Sequence, residues 1–459
     1  MKGAFSFLGW RVAASVSVGA VMLALMLEMS RRRVSNSNGV WVLGWLVAGK
    51  DRVVAERRFD AVWAAQQSSS YDQEPLVFRD AVGGKILGKW GYSRALLGKE
   101  KEISFVSSVR RISSKDVPHT FCHTYENAAM EQFYCQRNDQ QRAFCSCPKT
   151  KLRAIPDDIL TSADARISFA KIAPSDEFPG AKRAMRELRY ALFGKNGGRN
   201  ADAENNDIWI GTRGWQTHTH FDYQLNFYVQ LRGSKHFVLA APTRRMLNAT
   251  KLYPDQSPRK RQTRDILKVS HPTAVEVILN PGDVLLIPPA YLHTATAVPN
   301  ENGFSISAAL CMQSALERVF ERVSRMALPF SLEWTLEETA VGVAMFIKRF
   351  AHRVDTRCFL RAAYDIRFSF LPLLRGDAAA SNMLHAAFKT LNGMEETEMY
   401  KNVTSRANEI FDEMAAASST QWALELIITN YLEKVVTYML GGDRTAVFFR
   451  VAAEHGNCP

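Results

Sequence analysis

The sequence predicts a mainly β core, a sandwich or jelly roll, followed by an α-helical C-terminal region. Three observations predict it. Between Asp207 and Leu310 short apolar runs alternate with Gly- and Pro-containing turns, the pattern of antiparallel all-β architectures. Beyond Cys311 apolar residues recur at helical spacing, as at Leu316, Val319, Phe320, Val323 and Ala327. Hydrophobic residues make up 47% and charged residues 23% of 459, enough apolar material for a large core and too long a chain for one ordinary domain.

The elements follow in order. Glu74-Pro-Leu-Val-Phe-Arg-Asp reads as a short strand entered by proline. Ser93 reads as the N-cap of a helix through Leu97. Ile103–Val109 is apolar and β-branched, hence a strand. Leu160–Ala170 and Ala181–Leu192 have mixed helical character, and the polar, Gly- and Asn-rich Lys195–Asn206 reads as a loop. Asp207-Ile-Trp-Ile-Gly is a strand. Leu225–Leu231 and Lys235–Ala240 are two more, joined by Arg232-Gly-Ser as a tight hairpin. Val275–Leu279 stops at Asn280-Pro-Gly-Asp, Val284–Ile287 runs into Pro288-Pro289, and Phe304–Leu310 is the last strand. Gln421–Leu440 is a long amphipathic helix halted by Gly441-Gly442. The Leu, Phe and Met stripes of the C-terminal region are core or interface.

The chain divides into residues 1–33, a signal peptide or membrane anchor; 34–71, a linker; 72–312, the β domain, with a Cys-rich insertion at 121–150; and 313–459, the helical region. Val12–Leu27 is uncharged, preceded by Lys2 and Arg11 and followed by Arg31–Arg33. That is short for a spanning helix but sufficient for a signal segment. With the sequons at Asn248 and Asn402, it predicts the secretory pathway or endoplasmic reticulum lumen, with a membrane-anchored form and a mitochondrial presequence as alternatives. Four of the seven cysteines (Cys122, Cys135, Cys145, Cys147) fall in one stretch, which predicts two local disulfides, reduced thiols being the alternative. The net charge of +12 is scattered, with no basic stripe interleaved with aromatics and so no strong nucleic-acid signal.

The chemistry lies in Trp215-Gln-Thr-His-Thr-His-Phe-Asp. On an extended strand, residues two apart share a face, so His220 and Asp222 project together. A second imidazole arrives as His293, after the Pro288-Pro289 corner. Two histidines and one carboxylate leave open positions on an octahedral ion, the facial triad of non-haem iron. His218 adds an imidazole two residues before His220, so an alternative His-x-His pairing stays open. Lys235, near the start of the strand read as paired with Leu225–Leu231, is costly inside a barrel unless it meets an anion; Thr217 offers a hydroxyl close by.

These residues, with Asn226-Phe-Tyr-Val-Gln-Leu-Arg-Gly-Ser-Lys235 and Pro281-Gly-Asp-Val-Leu-Leu-Ile-Pro-Pro-Ala-Tyr-Leu-His293, resemble the JmjC/cupin-like family. Within it the resemblance is to the branch of the asparaginyl hydroxylase that inhibits hypoxia-inducible factor. It covers about residues 72–312 and implies a double-stranded β-helix and an Fe(II)- and 2-oxoglutarate-dependent dioxygenase that consumes O2. It further implies His220, Asp222 and His293 as iron ligands, Lys235 on the distal carboxylate of 2-oxoglutarate, and Thr217 and Asn226 lining that site. Ala308 and Ala309 stand where the branch often carries a pocket-lining Asn, and Tyr291 where Trp is common. The expected partner is a protein substrate whose side chain is hydroxylated. A second copy docking through the C-terminal helices and an N-terminal membrane contact are further expectations. The alternatives are a JmjC-type lysine demethylase and a non-catalytic cupin-fold scaffold.

Overall fold

The computed structural model describes residues 54–56, 74–90, 103–107, 149–152, 168–172, 179–197, 206–212, 217, 219–241, 243, 260–261, 274–298, 304–354, 358–369, 377–418 and 421–456. The N-terminal apolar segment, the helix read at Ser93–Leu97, the Cys-rich insertion up to residue 148 and His218 lie outside them. The strands are β1 (Ala55–Glu56), β2 (Leu76–Phe78), β3 (Ile103–Ser107), β4 (Lys149–Leu152), β5 (Ser168–Ile172), β6 (Asp207–Thr212), β7 (His220–Phe221), β8 (Leu225–Arg232), β9 (Ser234–Ala240), β10 (Lys260–Arg261), β11 (Val275–Leu279), β12 (Val284–Ile287), β13 (Leu292–Val298) and β14 (Phe304–Met312). They form a nine-stranded sheet, β1-β2-β12-β8-β14-β6-β5-β3-β4, and a five-stranded sheet, β10-β7-β13-β9-β11.

Period-two patterning sets which way each side chain points. Along β8, Leu225, Phe227, Val229 and Leu231 join Ile306, Ala308 and Leu310 of β14 on the outer face of the large sheet. Helix α1 (Pro179–Gly197) covers that face with Met185, Leu188, Leu192 and Phe193. The opposite faces meet between the sheets: Tyr228, Leu285, Ile287, Ala309 and Cys311 of the large sheet pack with Phe237, Leu239, Val277, Leu279 and Ala295 of the small one. This two-sheet core, followed by helices, is the mainly β, cupin-like architecture with a helical C-terminal region that the sequence predicts.

Several local expectations are corrected. Leu160–Ala170 was expected to be helical in character, but Ser168–Ile172 is strand β5, paired with β6 and β3; pairing within the sheet outweighs a weak local preference. Arg232-Gly-Ser is not a hairpin between paired strands. β8 pairs with β12 and β14, and β9 with β11 and β13, so the chain passes there from one sheet to the other. Gly233, at φ 65, supplies the left-handed conformation that the sharp change of direction requires. Helix α1 also runs to Gly197, past a break at Gly194, and takes the first residues of the segment read as a loop.

The helices after the sheets are α2 (Ala315–Arg325), α3 (Leu336–Arg353), α4 (Phe359–Arg367), α5 (Asp377–Thr390), α6 (Glu398–Ala417), α7 (Gln421–Leu440) and α8 (Gly442–Glu454). Ser314 caps α2 by accepting from the Glu317 N–H, and Thr335 with Glu338 forms a capping box on α3. One apolar cluster joins these helices to Phe221, Tyr223, Val238, Ala240 and Leu292, the outer face of the five-stranded sheet. Helix α7 was read as amphipathic, but it is buried on most sides, from Ala423 to Leu440. Among the described residues no helix is long and apolar enough to cross a membrane.

Candidate metal centre

Register brings the histidines together. β13 lies between β7 and β9, and His293 pairs directly with His220. Their ring centroids are 4.3 Å apart. Asp222 follows two residues after His220, on the same face and just past the end of β7. Its main-chain carbonyl accepts from the Ala290 N–H at 2.6 Å, and Ala290 itself stands at φ 63. One potential ligand atom from each of His220, Asp222 and His293 lies within 4.8 Å of the others. Asp222 and His293 are buried, and His220 is half-buried.

These groups fit a divalent ion. A carboxylate taken out of water needs compensating positive charge, and two neutral imidazoles beside it complete the donor set of a facial triad. The Nδ1 of His293 lies 3.0 Å from the carbonyl of Tyr291. A carbonyl only accepts, so Nδ1 carries the proton and Nε2 keeps its lone pair for a metal.

Lys235 occupies the same inter-sheet space. It is 4% exposed, and its ammonium donates to the Tyr228 hydroxyl at 2.5 Å and to Ser307 Oγ at 2.7 Å. Those two hydroxyls are also in hydrogen-bond contact with each other. No carboxylate among the described residues pairs with it, and burial pulls its pKa down to about 7. Burial pushes the Tyr228 phenol up, so it stays protonated. On β13, Lys235 stands opposite Ala297, while His293 stands opposite Leu239. Four residues of strand, roughly 13 Å at ~3.3 Å per residue, separate the two levels.

The other expected residues are placed less uniformly. Asn226 shares the inward face of β8 with Tyr228, and its buried Oδ1 has no hydrogen-bond partner among the described residues. Thr217 lies at the level of Ala295, between those of His293 and Lys235. Its hydroxyl accepts from the Ala295 N–H at 2.8 Å, a main-chain role that the sequence did not indicate. Tyr228 and Ser307 were missed. Tyr228 was within reach, being two residues from Asn226 on one strand; Ser307 reaches Lys235 only through the pairing of β14 with β8.

Fold and site together define a class, the cupin-like proteins. The cupin-like domain family matches residues 64–310, more than half of the chain, and the chain belongs to that family. Over 98 residues it is 30% identical to JmjC domain-containing protein D of Dictyostelium discoideum, a segment covering 19% of this chain and 21% of that one. Over 86 residues it is 31% identical to tRNA wybutosine-synthesizing protein 4 of Neurospora crassa, covering 17% of this chain and 7% of that one. The chain thus spans about a fifth or less of the length of these relatives.

Proposed function

We propose that this chain is an Fe(II)- and 2-oxoglutarate-dependent dioxygenase that hydroxylates a protein side chain and releases succinate and CO2. The observation that carries the reading is the buried ammonium of Lys235, met among the described residues only by hydroxyls, in the same inter-sheet space as His220, Asp222 and His293. A cation so placed calls for an anion of matching reach.

His220, Asp222 and His293 would hold the iron. When bound, Fe(II) supplies the redox chemistry that couples O2 and the decarboxylation of the 2-oxo acid to hydroxylation. Lys235 binds the far carboxylate of the diacid through a charge-assisted hydrogen bond. The Tyr228 and Ser307 hydroxyls bond each other, and the one O–H left over is free to donate to the same anion. Asn226 offers its amide within the same space, and Thr217 holds β13 in register beside it. The packed side chains around Phe237, Leu239 and Ala295 keep bulk water away, which strengthens each of these interactions. Cys358 is disulfide-bonded, and that disulfide supports a secretory-pathway location.

The test is anaerobic loading with Fe(II) followed by 2-oxoglutarate and O2, with succinate as the readout. The parent chain is expected to release succinate above the protein-free rate, and Asp222→Ala to release none. Equal release from parent and Asp222→Ala contradicts the proposal. The protein substrate is then sought as a +16 mass shift that depends on Asp222.

A further inference from the structure

The segment carrying Asp222 is weakly held by its own sheet. β7 is two residues long, and Asp222 lies beyond its end. The Ala290 N–H holds the Asp222 carbonyl, and the two residues after it are fixed from behind, from the C-terminal helices. The carbonyl of Tyr223 accepts from Ser314 Oγ at the start of α2. The Gln224 side-chain amide donates to Glu317 of α2 at 2.8 Å. The Tyr223 ring stacks beside Phe221 and meets Phe320 edge-on, and its hydroxyl accepts from the side chain of Asn430 on α7.

Asn430 is itself held. Its Oδ1 accepts from the Arg367 guanidinium, and Arg367 pairs with Glu433 at 2.6 Å. Arg367, Asn430, Glu433 and Tyr223 are all at most 2% exposed. A buried ion pair contributes little stability over apolar residues of similar size. A fully satisfied polar network does, however, restrict its members to one arrangement. This one ends on the residue next to a candidate metal ligand.

We propose that Asn430, oriented by the Arg367–Glu433 pair, is a positioning residue for the metal centre, acting through Tyr223 to hold Asp222 in its ligating orientation. The inference rests on the metal-binding reading above. It gives the helical region a role in the site itself: α4 and α7 form the rear support of a centre whose ligands all come from the β core.

The experiment is anaerobic Co(II) titration of the full chain, read by affinity and visible spectrum, alongside thermal unfolding. Tyr223→Phe removes one hydroxyl and keeps the ring; Asn430→Leu removes the amide at similar volume. Phe388→Leu is the control, since Phe388 packs on Phe448 and His455 in the helical region and takes no part in the network's hydrogen bonds. Both network variants are expected to bind Co(II) about tenfold more weakly, the size of effect seen when partners of metal ligands are removed. Their spectrum changes, while Phe388→Leu lowers the unfolding temperature and leaves Co(II) binding as in the parent. Parent-like Co(II) binding by Tyr223→Phe or by Asn430→Leu overturns the inference, as does an equal loss in Phe388→Leu. Where the parent binds Co(II), Asp222→Ala does not and the network variants match the parent, this inference alone fails. If parent and Asp222→Ala bind alike, the metal-binding reading fails and takes this one with it.

Discussion

Lys235 has opposite effects on stability and on binding. Its pKa is drawn from 10.5 to about 7 by burial, so between those values the unfolded chain holds a proton that the folded one sheds. Stability of the ligand-free protein therefore rises with pH across that window. Binding of a dicarboxylate needs the ammonium, so it weakens as pH rises across the same window. Lys235→Met is expected to flatten both trends. The variant is expected to exceed the parent in stability most at pH 7, where the parent still carries the buried charge, and the difference shrinks as pH rises; the Tyr228 and Ser307 hydroxyls keep each other as partners. Dicarboxylate affinity falls by about 2 kcal/mol or more. Calorimetric titration and denaturant unfolding between pH 7 and 9 check both; unaltered dicarboxylate binding in Lys235→Met contradicts the assignment.

Turns decide which strands face each other. Gly282, between β11 and β12, stands at φ 99, and a Cβ there would lie 3.0 Å from the carbonyl of Val82. Next to it the buried Asp283 carboxylate accepts from Arg79 at 2.7 Å and from the Asn280 N–H at 2.9 Å. Gly282→Ala is expected to lower stability by about 1–3 kcal/mol, measured by urea unfolding; an unchanged midpoint contradicts the strain argument. The Pro281-Gly-Asp turn was readable because its residue types have few other uses. The Gly233 turn was readable as a turn but not as a crossing. Two strands joined by three residues look the same in sequence whether they pair or part, and only the partners of β8 and β9 distinguish the cases. The metal-binding cluster was readable because His220 and Asp222 sit two apart on one strand and His293 follows a Pro-Pro corner. Tyr228 followed from the same periodicity had it been applied past Asn226. Ser307, and the link from Tyr223 to Asn430 across 207 residues, depend on packing between distant elements and leave no local pattern.

The helices and the small sheet share one apolar cluster running from Phe221 and Leu292 to Phe350, Tyr431 and Phe448. Neither part keeps its apolar surface covered alone, so the chain from the first sheet strands to α8 is expected to unfold as one unit. Sheet and helix probes should give coincident transitions; a helical transition well below the sheet transition contradicts this. Arg367→Met is expected to cost about 3–5 kcal/mol by leaving Glu433 buried without its partner. Arg367→Met combined with Glu433→Leu recovers most of that loss, read from the same unfolding curves.

The central claim is that three side chains from two distant segments converge between the sheets on a single divalent ion. Anaerobic Fe(II) titration of the parent chain and of His220→Ala, Asp222→Ala and His293→Ala tests it most directly. The structure predicts one tight equivalent in the parent and loss of that equivalent in each variant. A tight equivalent that survives removal of His293 contradicts it.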